Sequence, residues 1–167
     1  MSAAAEAYVQ EGPNVPASAG DPSYALVTGQ PVARALPGLL ATAAERGLAR
    51  GARDLLNLGV DPDEPVHTLH GELPAFATAL HVAAEEGKIG VVNLLLAAGA
   101  HLDARADGTG QTPLHRAVAA KQVEMVQRLL DAGADVTIRD EQFGATPAAW
   151  AKHLGVDEIT GLFASRP

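Results

Sequence analysis

Thr112-Pro113-Leu114-His115-Arg116-Ala117 decides the fold, because it recurs. Thr78-Ala79-Leu80-His81-Val82-Ala83 stands 34 positions upstream and Thr146-Pro147-Ala148-Ala149-Trp150-Ala151 stands 34 positions downstream. A second phrase keeps the same step. Val91-Val92-Asn93-Leu94-Leu95-Leu96-Ala97-Ala98-Gly99-Ala100 is echoed by Met125-Val126-Gln127-Arg128-Leu129-Leu130-Asp131-Ala132-Gly133-Ala134. A fixed step in the range of about 20–50 residues marks an array of one supersecondary unit, in which neighbours must stack to bury a core.

Within one unit the residues read as two helices and a finger. Thr112 can cap the first helix through its hydroxyl, and Pro113 suits the first turn, where its missing N–H is not needed. Leu114, Ala117 and Val118 fall on one face, and Ala there lets adjacent helices approach closely. A short turn at Lys121-Gln122 leads to a second helix. There Val123, Val126, Leu129 and Leu130 form an apolar stripe, while Glu124, Gln127 and Arg128 are expected to face water. Gly133 can end that helix with a positive φ. Residues 134–140 then leave as an extended finger that turns back near Phe143-Gly144.

The ends of the array are weaker copies. Ala43-Ala44-Glu45-Arg46-Gly47 aligns with Ala83-Ala84-Glu85-Glu86-Gly87 at an offset of 40, so the first finger is six residues longer than the others. Gly38-Leu39-Leu40-Ala41 replaces the Thr-Pro-Leu-His phrase, as a terminal unit with one neighbour permits. At the other end Ile159, Leu162 and Phe163 close the last helix. Residues 1–37 do not repeat and hold loop punctuation such as Gly12-Pro13 and Asp21-Pro22. They are read as a separate extension, either a solvated tail or a segment lying along the first unit or in the groove of the array.

The two phrases, recurring in register over residues 38–163, resemble the ankyrin repeat family. The resemblance implies an all-α solenoid of about four helix-turn-helix repeats with hairpin fingers, at about 38–77, 78–111, 112–145 and 146–163, within a domain spanning 38–167. The first and last repeats would be degenerate caps. It further implies that His81 and His115 hydrogen-bond the backbone of a neighbouring finger. The residue after the phrase, Thr42, Val82, Arg116 and Trp150 in turn, would face the inner, concave surface. The next turn would add Glu45 and Arg46, Glu85 and Glu86, Ala119 and Ala120, and His153 and Leu154. That groove would be acidic at one end and aromatic at the other, and Trp and Arg are frequent interface anchors. Trp150 has an alternative role in the C-terminal cap, and Phe143 is either a staple of its finger or a partner contact. The family resemblance thus implies a non-enzymatic protein-binding module, an adaptor, an inhibitor or an immunity-type partner, that binds through the concave helix face and through the fingertips around residues 107–110 and 140–143.

Composition agrees with stacked thin layers. Hydrophobic residues make up 47% of the chain but aromatics only 4%, so the core must be mostly Ala, Leu and Val. The net charge is −8, which gives no electrostatic footprint for nucleic acid or an anionic membrane and favours a basic or mixed protein partner. There is no Cys, which excludes disulfides and thiolate sites and fits a reducing cytoplasm. The first residues lack a basic and an apolar leader region, so no signal peptide is expected. Abundant Ala, with Arg in excess of Lys, suits a GC-rich bacterial genome.

No phosphate-cradling loop, nucleophile elbow, zincin helix or dinucleotide fingerprint is present, and no catalytic residue, metal or cofactor is expected. Asp107-Gly108-Thr109-Gly110 reads as a turn and nothing more. His67 and His70, with Asp63, Glu64 and Glu72, offer two imidazoles and carboxylates in the long finger but lack a third ligand at a diagnostic spacing. They define a rival reading, a small-molecule site or enzyme formed by the extension, with Tyr8 or Tyr24, folding over the long finger. A third candidate is self-association, with the extension of one chain in the groove of another.

Overall fold

The computed structural model describes residues 38–67 and 76–164. The readings for residues 1–37, His70 and Glu72 lie outside the described residues. The described chain contains four helix pairs: α1 (Leu39–Glu45) with α2 (Ala49–Asn57), α3 (Ala79–Glu85) with α4 (Ile89–Ala97), α5 (Pro113–Ala119) with α6 (Val123–Asp131), and α7 (Pro147–His153) with α8 (Asp157–Ala164). Between the first two pairs, β1 (Val66–His67) and β2 (Phe76–Ala77) run antiparallel, with Val66 opposite Ala77. The expected all-α solenoid is what the chain forms.

The Thr caps work as the sequence requires. Thr112 has extended backbone and its hydroxyl accepts from the His115 N–H, with Pro113 in the first turn of α5. Thr146 does the same for Ala149, ahead of Pro147. At the first unit Gly38 caps α1 without any side-chain bond.

Small residues set the spacing of the first-helix row. Ala44, Ala83, Ala84, Ala117 and Ala151 are fully buried where α1, α3, α5 and α7 lie side by side. A methyl group is all that fits between backbones this close. The second helices supply the larger volume. Leu95, Leu129, Leu130 and Ile159 are buried in one continuous cluster with Leu80 and Leu114 of the first row.

Two expectations about α6 change. Met125 joins Val126, Leu129 and Leu130 in the core. Gln127 and Arg128 do not simply face water: both are half-buried. The Arg128 Nε donates to Asn93 Oδ1 of α4 at 2.7 Å, and Gln127 donates to Asp131 one turn on. A long side chain covers a neighbouring repeat with its stem while its head stays bonded.

The turn inside each pair needs a left-handed residue. Gly47, Gly87 and Gly155 supply it, but the third pair uses Lys121 at φ 57. At Gly87 φ is +66, and a Cβ would lie 2.7 Å from the far end of the Gln122 side chain, which would have to shift. A non-glycine in this region costs on the order of 1 kcal/mol or more. Replacing Lys121 by Gly is therefore expected to raise stability by roughly 0.5–1 kcal/mol after the larger unfolded-state entropy of Gly is subtracted. Urea unfolding of the variant beside Lys121→Ala, which keeps the strain, measures it.

Candidate protein-binding surface

The fingers are built on a repeated hydrogen-bonded base. Ala106 N–H donates to the Gln111 carbonyl at 2.8 Å, and Asp140 N–H to the Ala145 carbonyl at 3.0 Å. The same two carbonyls are also reached by the phrase histidines. His81 Nε2 lies 3.0 Å from Gln111 O and His115 Nε2 lies 3.1 Å from Ala145 O. On the other side of each ring Nδ1 accepts the backbone N–H of Thr78 or Thr112 at 3.2 Å. That fixes the ring proton on Nε2, which donates to the finger. Burial holds the His81 pKa down at about 4, against the opposing pull of the Gln111 carbonyl. Burial likewise lowers that of His115. These rings are neutral structural clasps, as the resemblance implied.

Neighbouring fingers are tied side by side. Asp63 accepts the His101 backbone N–H at 3.0 Å and contacts the ring Nδ1, and Asp103 accepts the Asp135 N–H at 2.9 Å. The Asp63 carboxylate raises the His101 pKa. The turn at residues 107–110 is more than a turn: Thr109 and Gly110 are buried, and the Thr109 carbonyl accepts the Glu141 N–H of the next fingertip at 2.8 Å. Arg105 spans the same gap to Glu141 at 3.1 Å.

Along the first-helix row, the residues read as a binding column differ in exposure. Thr42, Glu45, Glu85, Glu86 and Ala119 are exposed, while Val82, Arg116, Ala120 and Trp150 are half-buried; His153 is exposed at the end of α7. Two of them are joined, the Arg116 guanidinium donating to Glu85 at 3.1 Å across α3 and α5. The Arg116 side chain keeps only 17% of its surface.

Trp150 is not a free anchor. Its indole N–H donates to Asp140 Oδ2 at 2.9 Å, and its ring meets Phe143 edge-on at 5.6 Å and His115 at 6.3 Å. Asp140 is 3% exposed and also accepts the N–H groups of Phe143 and Ala145, at 2.6 and 3.1 Å. Burial alone would raise its pKa, but these three donors outweigh it and hold the carboxyl below its usual value. Sequence reasoning places Asp140 at a fingertip as a contact residue and does not show its bond to the Trp150 indole; it sits where the second finger has Ala106. Phe143 packs the edge of its ring near Trp150 and stays 66% exposed.

The rival site is only partly described. Asp63 and His101 border a shallow, open depression of about 420 Å³ between the first two fingers, with Thr78 and Asp103 on its rim. The Thr78 hydroxyl lies 2.9 Å from the His81 ring and is engaged there. Among the described residues no group of three or more His, Asp or Glu side chains is placed to hold a metal ion. None of the described helices is long and apolar enough to cross a membrane.

No curated protein matches the chain. The family model described as ankyrin repeats, three copies, matches residues 40–140, and such repeats are generally protein–protein interaction modules. With that match over more than half its length and four stacked helix pairs tied by His-clasped fingers, the chain belongs to the ankyrin repeat family.

Proposed function

We propose that the chain is a non-enzymatic protein-binding array that acts as an adaptor, inhibitor or immunity-type partner by shape and charge. The observation that carries this reading is the pattern of exposure along the first-helix row. Thr42, Glu45, Glu85, Glu86 and Ala119 are exposed on or at the ends of three adjacent helices whose remaining residues are buried or half-buried. Two of its polar groups are held in place, Glu85 by Arg116 and the Thr42 hydroxyl by the Gly38 carbonyl, and no nucleophile with a partnering base is among them. A rigid surface of this kind gains affinity because little side-chain freedom is lost on contact.

The test begins with a pull-down from the native cell, using the intact chain beside one lacking residues 1–37. The retained protein is then titrated against Arg116→Ala. We expect about tenfold weaker binding, near 1.4 kcal/mol, with stability changed by less than about 1 kcal/mol because the ion pair it removes is partly exposed. Unchanged affinity moves the contact off this face. Loss of binding without residues 1–37, in a variant that still folds, puts the extension in the interface or in a self-associated form. Retention of no protein favours the small-molecule reading at the Asp63–His101 depression, for which binding of metabolites would be followed by the His101 ring signals.

A further inference from the structure

We infer that the partner segment is cationic and carries an apolar side chain that seats on the Phe143–Trp150 step; this rests on the protein-binding reading above. The step is the one place where a large aromatic side chain of a described residue remains mostly exposed. It is also preorganised. One carboxylate holds both residues, Asp140 Oδ1 taking the Phe143 N–H and Oδ2 taking the Trp150 indole N–H. A ring fixed at 5.6 Å from its neighbour, with 66% of its surface in water, offers apolar area to a ligand at small entropic cost.

Charge names the occupant. The finger segments 61–65, 101–111 and 134–145 carry eight carboxylates against two arginines, a net of −6. The other described residues carry eight of each sign. The excess negative charge of the described chain therefore lies wholly on the fingers. Both finger arginines are turned to the fingers themselves: Arg105 bonds Glu141 and the Arg139 carbonyl, and Arg139 bonds the Gly144 carbonyl. A field of this sign repels phosphate backbones, anionic lipid and a second acidic copy of the chain, and steers Lys- and Arg-bearing segments.

The probe is a random-sequence peptide display library selected on the full chain. Enriched peptides are expected to combine Lys or Arg with an aromatic or Leu residue. Their affinity should fall about tenfold in Phe143→Ser, which keeps the backbone N–H that Asp140 holds, and should fall again with added salt or in Glu64→Lys with Asp107→Lys. Phe143→Leu should retain most of the binding, and thermal melts confirm that each variant folds. Enriched peptides that are neutral or acidic, or that bind every one of these variants as the parent, overturn the inference. Peptides that lose affinity only in Arg116→Ala overturn it while leaving the protein-binding reading in place. Absence of any enriched peptide counts against that reading as well. Concentration-dependent dimers that Phe143→Ser abolishes would make the occupant a second copy and also overturn the inference.

Discussion

Replacing Asp140 by Ala is expected to destabilise the protein by about 3 kcal/mol. The carboxylate is buried and accepts three N–H groups, from Phe143, Ala145 and the Trp150 indole. A hydrogen bond to a charged group contributes about 1.5–3 kcal/mol. The full sum will not be lost, because the Phe143 end of the loop is exposed and its N–H can turn to water. The Ala145 and Trp150 donors are half-buried and less well placed to recover. Asn at this position can accept through one atom but presents an N–H₂ where a donor already points, so Asp140→Asn should recover less than half of the loss. Trp150→Phe, which removes a single donor, should cost about 1–1.5 kcal/mol. The two changes share one bond, so their effects should not add. Denaturant unfolding of the three variants and of the double variant measures this. A loss below about 1 kcal/mol for Asp140→Ala would mean that the fingertip does not depend on its carboxylate.

Acid is the second large lever. Between pH 7 and pH 4 the protein is expected to lose about 3 kcal/mol through His81 alone. The ring is neutral in the fold, with a pKa of about 4, and titrates at 6.5 when unfolded. As the pH falls the unfolded chain therefore takes the proton first. The stabilisation is fully present above 6.5 and is lost across the interval from 6.5 to 4. His115, also lowered by burial, adds loss in the same direction. Asp135 and Asp140 have lowered carboxyl pKa values, so their contributions disappear only below about 3.8, a separate range. His101 runs the other way: its pKa is raised by Asp63, so its contribution is present below 6.5 and fades as the pH rises above that, on an exposed ring. Urea midpoints at pH 7, 6, 5 and 4 should therefore fall steadily. His81→Gln, which keeps a donor for the Gln111 carbonyl, should be weaker at pH 7 but show a flatter profile. A wild-type profile already flat over this range would show that His81 is not buried as a neutral ring.

The period of 34 made the architecture legible, because a residue type needed for stacking must return at each step. Thr112 and Pro113 and the buried Leu114 and Ala117 were readable in this way, whereas the clasping role of His81 and His115 was implied by the resemblance to ankyrin repeats. Features that occur once were not. Asp140 and Trp150 form a contact found in no other unit, so no repetition pointed to it. Arg128 looked like a solvent-facing residue in its own helix, since a one-helix pattern cannot show that Asn93 of the preceding unit lies within reach. For the column of Thr42, Val82, Arg116 and Trp150 the state of each side chain was not legible. Helical spacing says which way a side chain starts, and not whether Glu85 or Asp140 will hold its far end.

The histidine clasps anchor the fingers at their bases. His81 and His115 each reach across to a carbonyl 30 residues on, and that same carbonyl closes the base of a finger, at Ala106–Gln111 and at Asp140–Ala145. The first unit has Ala41 in place of the ring, and the base of its finger is closed by the pairing of Val66 with Ala77. All these bonds sit at the base, so chain added beyond a base leaves them intact. The six additional residues of the first finger lie there, between Val66 and Ala77. Insertions at that place should be accepted without change to the stack. In the second and third fingers the clasps would survive as well, but the bond between the Thr109 carbonyl and the Glu141 N–H of the next tip would be lost. The outline of the array can therefore vary at its tips while its core stays the same.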